Sequence, residues 1–229
     1  MTTLKTRAPG VLLVLILVLA LALRLTGIGW DADSRLHPDE RFLTGIVSAI
    51  GKPENLTEPA RAGCPDEQFY YDYFNTDCSV YNPDNVNVGS FAYGTLPLYI
   101  VRAAAQVVER VNPGGLENPQ AWSSYDYIHY VARAVDAIAD TLVVLLVFLI
   151  GLRLLTPWHG LLAAALYAFA VLPIQLAHFW AVDSLANLFF MLGLYAAVIV
   201  VKGGRGWAYL LFGVALGEVG FLTIDLQLP

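Results

Sequence analysis

TLPLYIVRAAAQVVERV, residues 95–111, is apolar enough to enter a bilayer and polar enough to stop at its surface, and the number of membrane crossings depends on which it does. Arg102, Gln106, Glu109 and Arg110 fall at i, i+4, i+7 and i+8, which draws one polar stripe along a helix and leaves the rest apolar. A helix of that kind lies in the interface instead of passing through the core. Orientation agrees. With 95–111 flat, the short connections carrying Lys5 and Arg7, then Arg153, then Lys202 and Arg205 all fall on one side, as the positive-inside rule requires. With 95–111 spanning, Arg153 moves to the other side.

Composition sets the class. Of 229 residues 57% are hydrophobic and 14% charged, and the mean hydropathy is +0.59, which is an integral membrane protein and not a soluble domain. A formal charge of −6 excludes nucleic acid as a natural partner. The acidic residues are concentrated in one polar stretch that also holds both cysteines, Cys64 and Cys78. That pattern suits one disulfide in an oxidising compartment, with two free thiols as the alternative. No CxxC and no zinc spacing occurs.

Residues 1–30 form an N-terminal anchor, in which VLLVLILVLALAL (11–23) follows Lys5 and Arg7 and the apolar character continues through Leu25, Ile28 and Trp30. Arg24 is expected to snorkel to the boundary. Further apolar runs at 137–155, 158–178, 184–201 and 207–222 each approach the roughly 20 residues that cross a hydrocarbon core. The expected fold is therefore an all-α polytopic membrane protein with about five transmembrane helices. Residues 31–135 form a large first outer loop with amphipathic juxtamembrane helices at about 38–50 and 95–111, and residues 136–229 hold the later spans. The N-terminus is cytoplasmic, the loop extracytoplasmic, and the protein a multi-pass component of the plasma (inner) membrane.

Just past the anchor stands RLHPDERFL (35–43). Pro38 suits a first helical position, Asp39 and Glu40 suit a first turn, and Gly51 suits the stop. Phe42, Leu43, Ile46, Val47 and Ile50 then share one face. Acids in a first turn favour the helix dipole without any chemistry. A carboxylate at a membrane boundary also suits a general base. Since neighbours on a helix diverge by about 100°, one of the two should face a site and the other a structural or metal partner. The flat reading of 95–111 brings the turn HFWAVD (178–183) to the same outer face as HPDE.

The chain resembles the front of the C-type membrane glycosyltransferases, especially the protein O-mannosyltransferase and aminoarabinose transferase group. The resemblance rests on Arg24-Leu25-x-Gly27 near the outer end of the anchor, HPDE, a long outer loop, HYVARAVDAIADTL (129–142) at a span entry, and HFWAVDS (178–184). It implies a polyprenyl-phosphate-linked sugar as donor, Asp39 as catalytic base, Glu40 as its motif neighbour and Asp183 as the second acid. Asp183 suits the N-cap of the following span equally well. The implied reaction inverts the sugar, with Asp39 taking the acceptor hydroxyl's proton as lipid phosphate leaves. Arg133 is the candidate cation for that phosphate, with Arg102 behind it. His37 and His178 are further candidates for substrate contact, His178 suiting an interfacial hydrogen bond as well. Arg133, Asp136 and Asp140 form a polar stripe that could serve function or pair internally.

No recognised metal motif is present, although His37, Asp39, Glu40, His178 and Asp183 could together hold a divalent ion. The segment FYYDYFNTDCSVY (69–81) suits sugar stacking or an aromatic belt, Asn55-Leu56-Thr57 matches a glycosylation sequon, and Gly213-x-x-x-Gly217 suits close helix packing. Family members are longer, so the chain is expected to be a front portion that is inactive alone. Its end departs from the family, with Ile224 and Asp225 after Thr223 and Glu218 inside an apolar run. A different class of function therefore stands beside the enzyme: a non-catalytic subunit that scaffolds a larger membrane complex through other membrane subunits.

Overall fold

The computed structural model describes residues 2–31, 34–64, 66–72, 74–86, 91, 93–112, 121–204 and 206–223. Arg205, Tyr73, Ile224 and Asp225, on which parts of the sequence reading fall, lie outside them. Among the described residues the chain is all helix and turn, with no strand. It divides into two units, Met1–Asp33 with Ala132–Ile224, and Ser34–Val131.

The first unit is apolar. It holds α1 (Thr2–Leu25), all but the first turn of α5 (Ile128–Leu154), α6 (Pro157–Ala168), α7 (Val171–Leu176), α8 (Val182–Val201) and α9 (Gly206–Thr223). Three segments are long and apolar enough to cross a membrane, Ala8–Leu25, Ile128–Leu154 and Val182–Val201, and Gly206–Val219 is a shorter apolar stretch. A core of Ala20, Val144, Phe148, Leu161, Ala164 and Ala168 joins α1, α5 and α6. Val11, Val14, Leu15 and Val18 point outward on α1, the pattern of a helix whose outer surface meets hydrocarbon and not water.

The run 158–178 is not one helix. α6 ends at Ala168 and α7 begins at Val171. Pro173 is the cause: inside a continuous helix its ring would strike the Phe169 carbonyl, whereas as the third residue of a new helix its missing N–H is one that no intrahelical bond would use. Ala170 accordingly takes an extended conformation at the junction.

Glycines bring α5 and α6 together. A Cβ on Gly151 would stand 2.7 Å from the Gly160 Cα, and one on Gly160 would stand 2.7 Å from the Phe148 carbonyl oxygen. By contrast, Gly213 and Gly217 have nothing within 4 Å. The small-residue contact between α8 and α9 is made instead where Gly193 meets Ala215, 3.5 Å from where a Cβ would be. Gly160→Ala is therefore expected to destabilise the protein by about 1–3 kcal/mol through overpacking, and Gly213→Ala to be neutral or slightly stabilising, as read by thermal unfolding in detergent. Equal effects at the two positions would contradict the packing.

The second unit contains α2 (Pro38–Ala49), α3 (Glu58–Gly63), α4 (Leu96–Val111) and the first turn of α5, joined by short 3-10 turns. Leu43, Ile46 and Val47 of α2 and its C-cap Ile50 are fully buried, and α2 packs on α4. Gly51 follows α2 with φ +77, the left-handed conformation that ends helices and that glycine adopts without strain. Cys64 and Cys78 form the expected disulfide, with their Cα atoms 5.5 Å apart.

Candidate functional site

His37 is the N-cap of α2, Pro38 its first residue, and Asp39 and Glu40 complete the first turn. The two carboxylates separate in environment: Glu40 is fully buried and Asp39 half-buried. Of the pair, Asp39 is the one accessible to a ligand.

Arg35 fixes the approach to this turn. It takes φ +46, a left-handed conformation that costs a non-glycine residue about 1–2 kcal/mol. Three contacts offset that cost. Its guanidinium lies 4.1 Å from the centre of the Tyr125 ring, and its Nη2 is 3.7 Å from the Asp126 carboxylate. Its carbonyl oxygen accepts two N–H groups from Arg41 at 3.4 Å each. Backbone strain of this kind concentrates at functional turns. Sequence reading missed Arg35, and no spacing relates it to Tyr125.

Arg102 sits where the polar stripe of α4 was expected to meet solvent, yet it is 8% exposed. Its Nη1 donates to the Ser123 carbonyl at 3.2 Å, and Glu109 accepts the Ser123 N–H at 2.9 Å. Two of the four stripe residues thus hold the turn Ala121–Ser123 against α4, and the stripe is only partly a solvated face. Arg102 also lies 3.6 Å from where a Gly51 Cβ would be, beside the carbonyl end of α2 that favours a cation.

Burial, and then the Arg102 charge, hold the pKa of Lys52 below the ordinary lysine value of 10.5, against the opposing pull of Glu54 and Glu109. The sign follows from linkage. Between the lowered folded pKa and 10.5 the unfolded chain binds more protons at this site, so Lys52 makes stability rise with pH across that alkaline window. Lys52→Met is expected to remove that rise. Unfolding midpoints of both proteins, compared from pH 8 to about 10.5, check it, and parallel profiles would refute the role of Lys52.

In the other unit, Arg133 is fully buried and bidentate on Asp31, with Nη1 to Oδ1 at 3.1 Å and Nη2 to Oδ2 at 2.8 Å. Nη1 also donates to the Ile28 carbonyl at 2.6 Å. The cation expected at a leaving phosphate is therefore one whose charge is already balanced. Arg24 does not snorkel. It is completely buried and paired through Nε with Asp140. Its Nη1 donates to the carbonyls of Ala20 at 3.0 Å and Ala168 at 3.2 Å. Tyr167 donates to the other Asp140 oxygen at 2.6 Å and receives the Asn187 amide at 2.9 Å. Asp140 is thus held by Arg24 and Tyr167, and Asp136 accepts the Ala181 N–H at 3.4 Å, at the start of α8.

His178 places Nδ1 2.7 Å from the Ile174 carbonyl oxygen and Nε2 2.8 Å from that of Thr26. Trp30 Nε1 donates to the His178 carbonyl at 3.2 Å, and the Trp30 and Phe179 rings meet edge to face. These bonds tie the segment after α1 to the segment after α7. Asp183 is exposed in the first turn of α8, and the N-cap is Ala181. Asp183 is therefore not the cap residue, because the helix starts at Val182 and not at Ser184. Among the described residues no three His, Cys, Asp or Glu side chains converge as metal ligands.

No curated protein and no solved structure matches the chain. A family model does match, over a stretch somewhat under half of the chain that begins at HYVARAVDAIADTL, includes HFWAVDS and lies after HPDE. Residues 129–227 match the model of the family described as dolichyl-phosphate-mannose-protein mannosyltransferase, and over that stretch the resemblance read from the sequence holds.

Proposed function

We propose that the chain serves the transfer of a sugar from a polyprenyl-phosphate donor to a hydroxyl acceptor at the extracytoplasmic face of the membrane. The observation that carries this reading is the match of residues 129–227 to the mannosyltransferase family. Its chemistry uses Asp39 as general base. As the acceptor oxygen attacks the anomeric carbon, Asp39 takes its proton, and the bond to the lipid phosphate breaks with its electron pair going to phosphate. Attack opposite the leaving group inverts the anomeric centre. Glu40, buried beside Asp39 in the same turn, holds the motif in place, and Asp183 is the second acid. His37 and His178 are candidates for substrate contact, with Arg102 a positioning residue for the loop. Arg133 enters as the cation for the departing phosphate, exchanging one anion, the Asp31 carboxylate, for another.

The proposed topology has five crossings. They are α1, α5, the broken pair α6 and α7, α8, and α9. α6 and α7 together cover residues 157–176, about 30 Å at 1.5 Å per residue if the break keeps its direction. The N-terminus is cytoplasmic and residues 31–135 are extracytoplasmic. Cysteine placed at position 112 in a Cys64→Ser/Cys78→Ser background should react with an impermeant reagent from outside intact cells, and labelling only after permeabilisation would refute this arrangement.

The functional test is transfer of radiolabelled sugar from a set of polyprenyl-phosphate donors to membrane acceptors by membranes containing the full chain. Transfer above that of membranes lacking it supports the reading and overturns the expectation that the chain is inactive alone. No transfer from any donor, with the protein shown to be inserted and folded, counts against it.

A further inference from the structure

From residue 62 to residue 101 the chain carries no Lys, Arg or His, while it holds Asp66, Glu67, Asp72, Asp77 and Asp84. Within this stretch the Cys64–Cys78 disulfide closes a loop. Tyr70 is buried in it, and its carbonyl accepts the Val80 N–H at 2.8 Å. The Asp72 carboxylate accepts the Phe74 N–H at 3.0 Å, and the side chains of Asn82 and Asn85 both donate to the Thr76 carbonyl at 2.8 Å. On this fixed frame three rings face outward: Phe69 is 39% exposed, Tyr71 59% and Phe74 90%. Ordering such rings in advance removes entropy that binding would otherwise have to supply.

A groove of about 1250 Å³ opens in the same unit. Gly63 and Asp77, the neighbours of the two half-cystines, both line it. Glu54, Glu58 and Asp84 also line it, and no Lys, Arg or His among the described residues does, while Lys52 and Arg102 act on Glu54 from beside it and Arg61 donates to the Leu56 carbonyl.

We propose that the described residues of the disulfide-closed loop, 66–72 and 74–78, and this groove form a docking site for a polypeptide segment rich in Lys and Arg. Both features select the same charge. The face of an aromatic ring attracts an ammonium or guanidinium group, and the carboxylates of Glu58, Asp77 and Asp84 along the groove complement the same partner. An anionic lipid surface is repelled by this surface. A neutral glycan could stack on the rings but would gain nothing from the net negative charge. The proposal stands on the loop and groove alone and does not depend on the transfer reaction.

The test uses the full chain in nonionic detergent and fluorescence anisotropy with a labelled decalysine peptide, against labelled decaglutamate and a neutral hexasaccharide. Decalysine is expected to bind. Tyr71→Ser/Phe74→Ser and Glu58→Gln/Asp77→Asn should each weaken it by about tenfold, with the disulfide still intact by thiol titration. Glu58→Lys/Asp77→Lys should shift preference from decalysine to decaglutamate, an outcome that unfolding would not produce. Hexasaccharide binding in place of decalysine overturns the proposal, as does decalysine binding that ignores the loss of both rings.

Discussion

Asp39→Asn is expected to lower sugar transfer by about 10²- to 10⁴-fold, the range for loss of a positioned general base, with the protein still inserted and folded. The competing explanation for an acid at this position is the helix dipole, and the two differ in size. A carboxylate in a first turn is worth about 0.3–1 kcal/mol to its helix, and Asn keeps the shape while giving up only that. Pro38 at the first position and the buried face of α2 remain in place. A loss of stability that small leaves the protein folded and its activity within a small factor of the original. Glu40→Gln provides the contrast, because Glu40 is fully buried and its replacement should act on the stability of the α2 turn before it acts on chemistry. Asp39→Asn with transfer reduced less than about tenfold would remove Asp39 from the role of base.

The helices were legible in the sequence wherever one local rule decided them. α2 follows from Pro38, the acidic first turn and Gly51, and it runs as those residues require. The disulfide follows from two cysteines in one polar stretch. The break between α6 and α7 was written in Pro173, but apolar content alone gave no reason to stop at Phe169. The glycine pattern misled for a related reason. GxxxG marks a surface on which backbones can approach, but the approach occurs where a facing helix also offers a small residue, as Gly160 does for Gly151 and Ala215 for Gly193.

The candidate site was less legible because its chemistry lies in pairs remote along the chain. Asp31 and Arg133 are 102 residues apart, and Arg24 and Asp140 are 116 apart. Periodicity could place Arg133, Asp136 and Asp140 on one stripe of α5 but could not name their partners. Snorkelling was the natural reading of Arg24 as long as the anchor was considered by itself. The break after α6 changes the balance, since it leaves the Ala168 carbonyl without its helical partner, and a bilayer offers that carbonyl no water.

Arg24→Met is expected to destabilise the helical unit by about 3–5 kcal/mol, the loss that follows removal of one partner from a buried ion pair. The reason is what remains behind. Asp140 is 4% exposed, and without Arg24 its carboxylate keeps, among the described residues, only the Tyr167 hydroxyl, a buried acid left without its cation. The Ala168 carbonyl loses the N–H that reaches it. Removing both charges should cost much less, because a buried ion pair replaced by apolar side chains of similar volume is often neutral. In Arg24→Met/Asp140→Leu the Tyr167 hydroxyl still receives the Asn187 amide, so the double variant is expected to recover most of the loss. Thermal or denaturant unfolding of the four proteins in the same detergent closes the cycle. Additive losses would show that Arg24 and Asp140 act separately, and the discontinuity between α6 and α7 would then need another source of support than the guanidinium buried beside it.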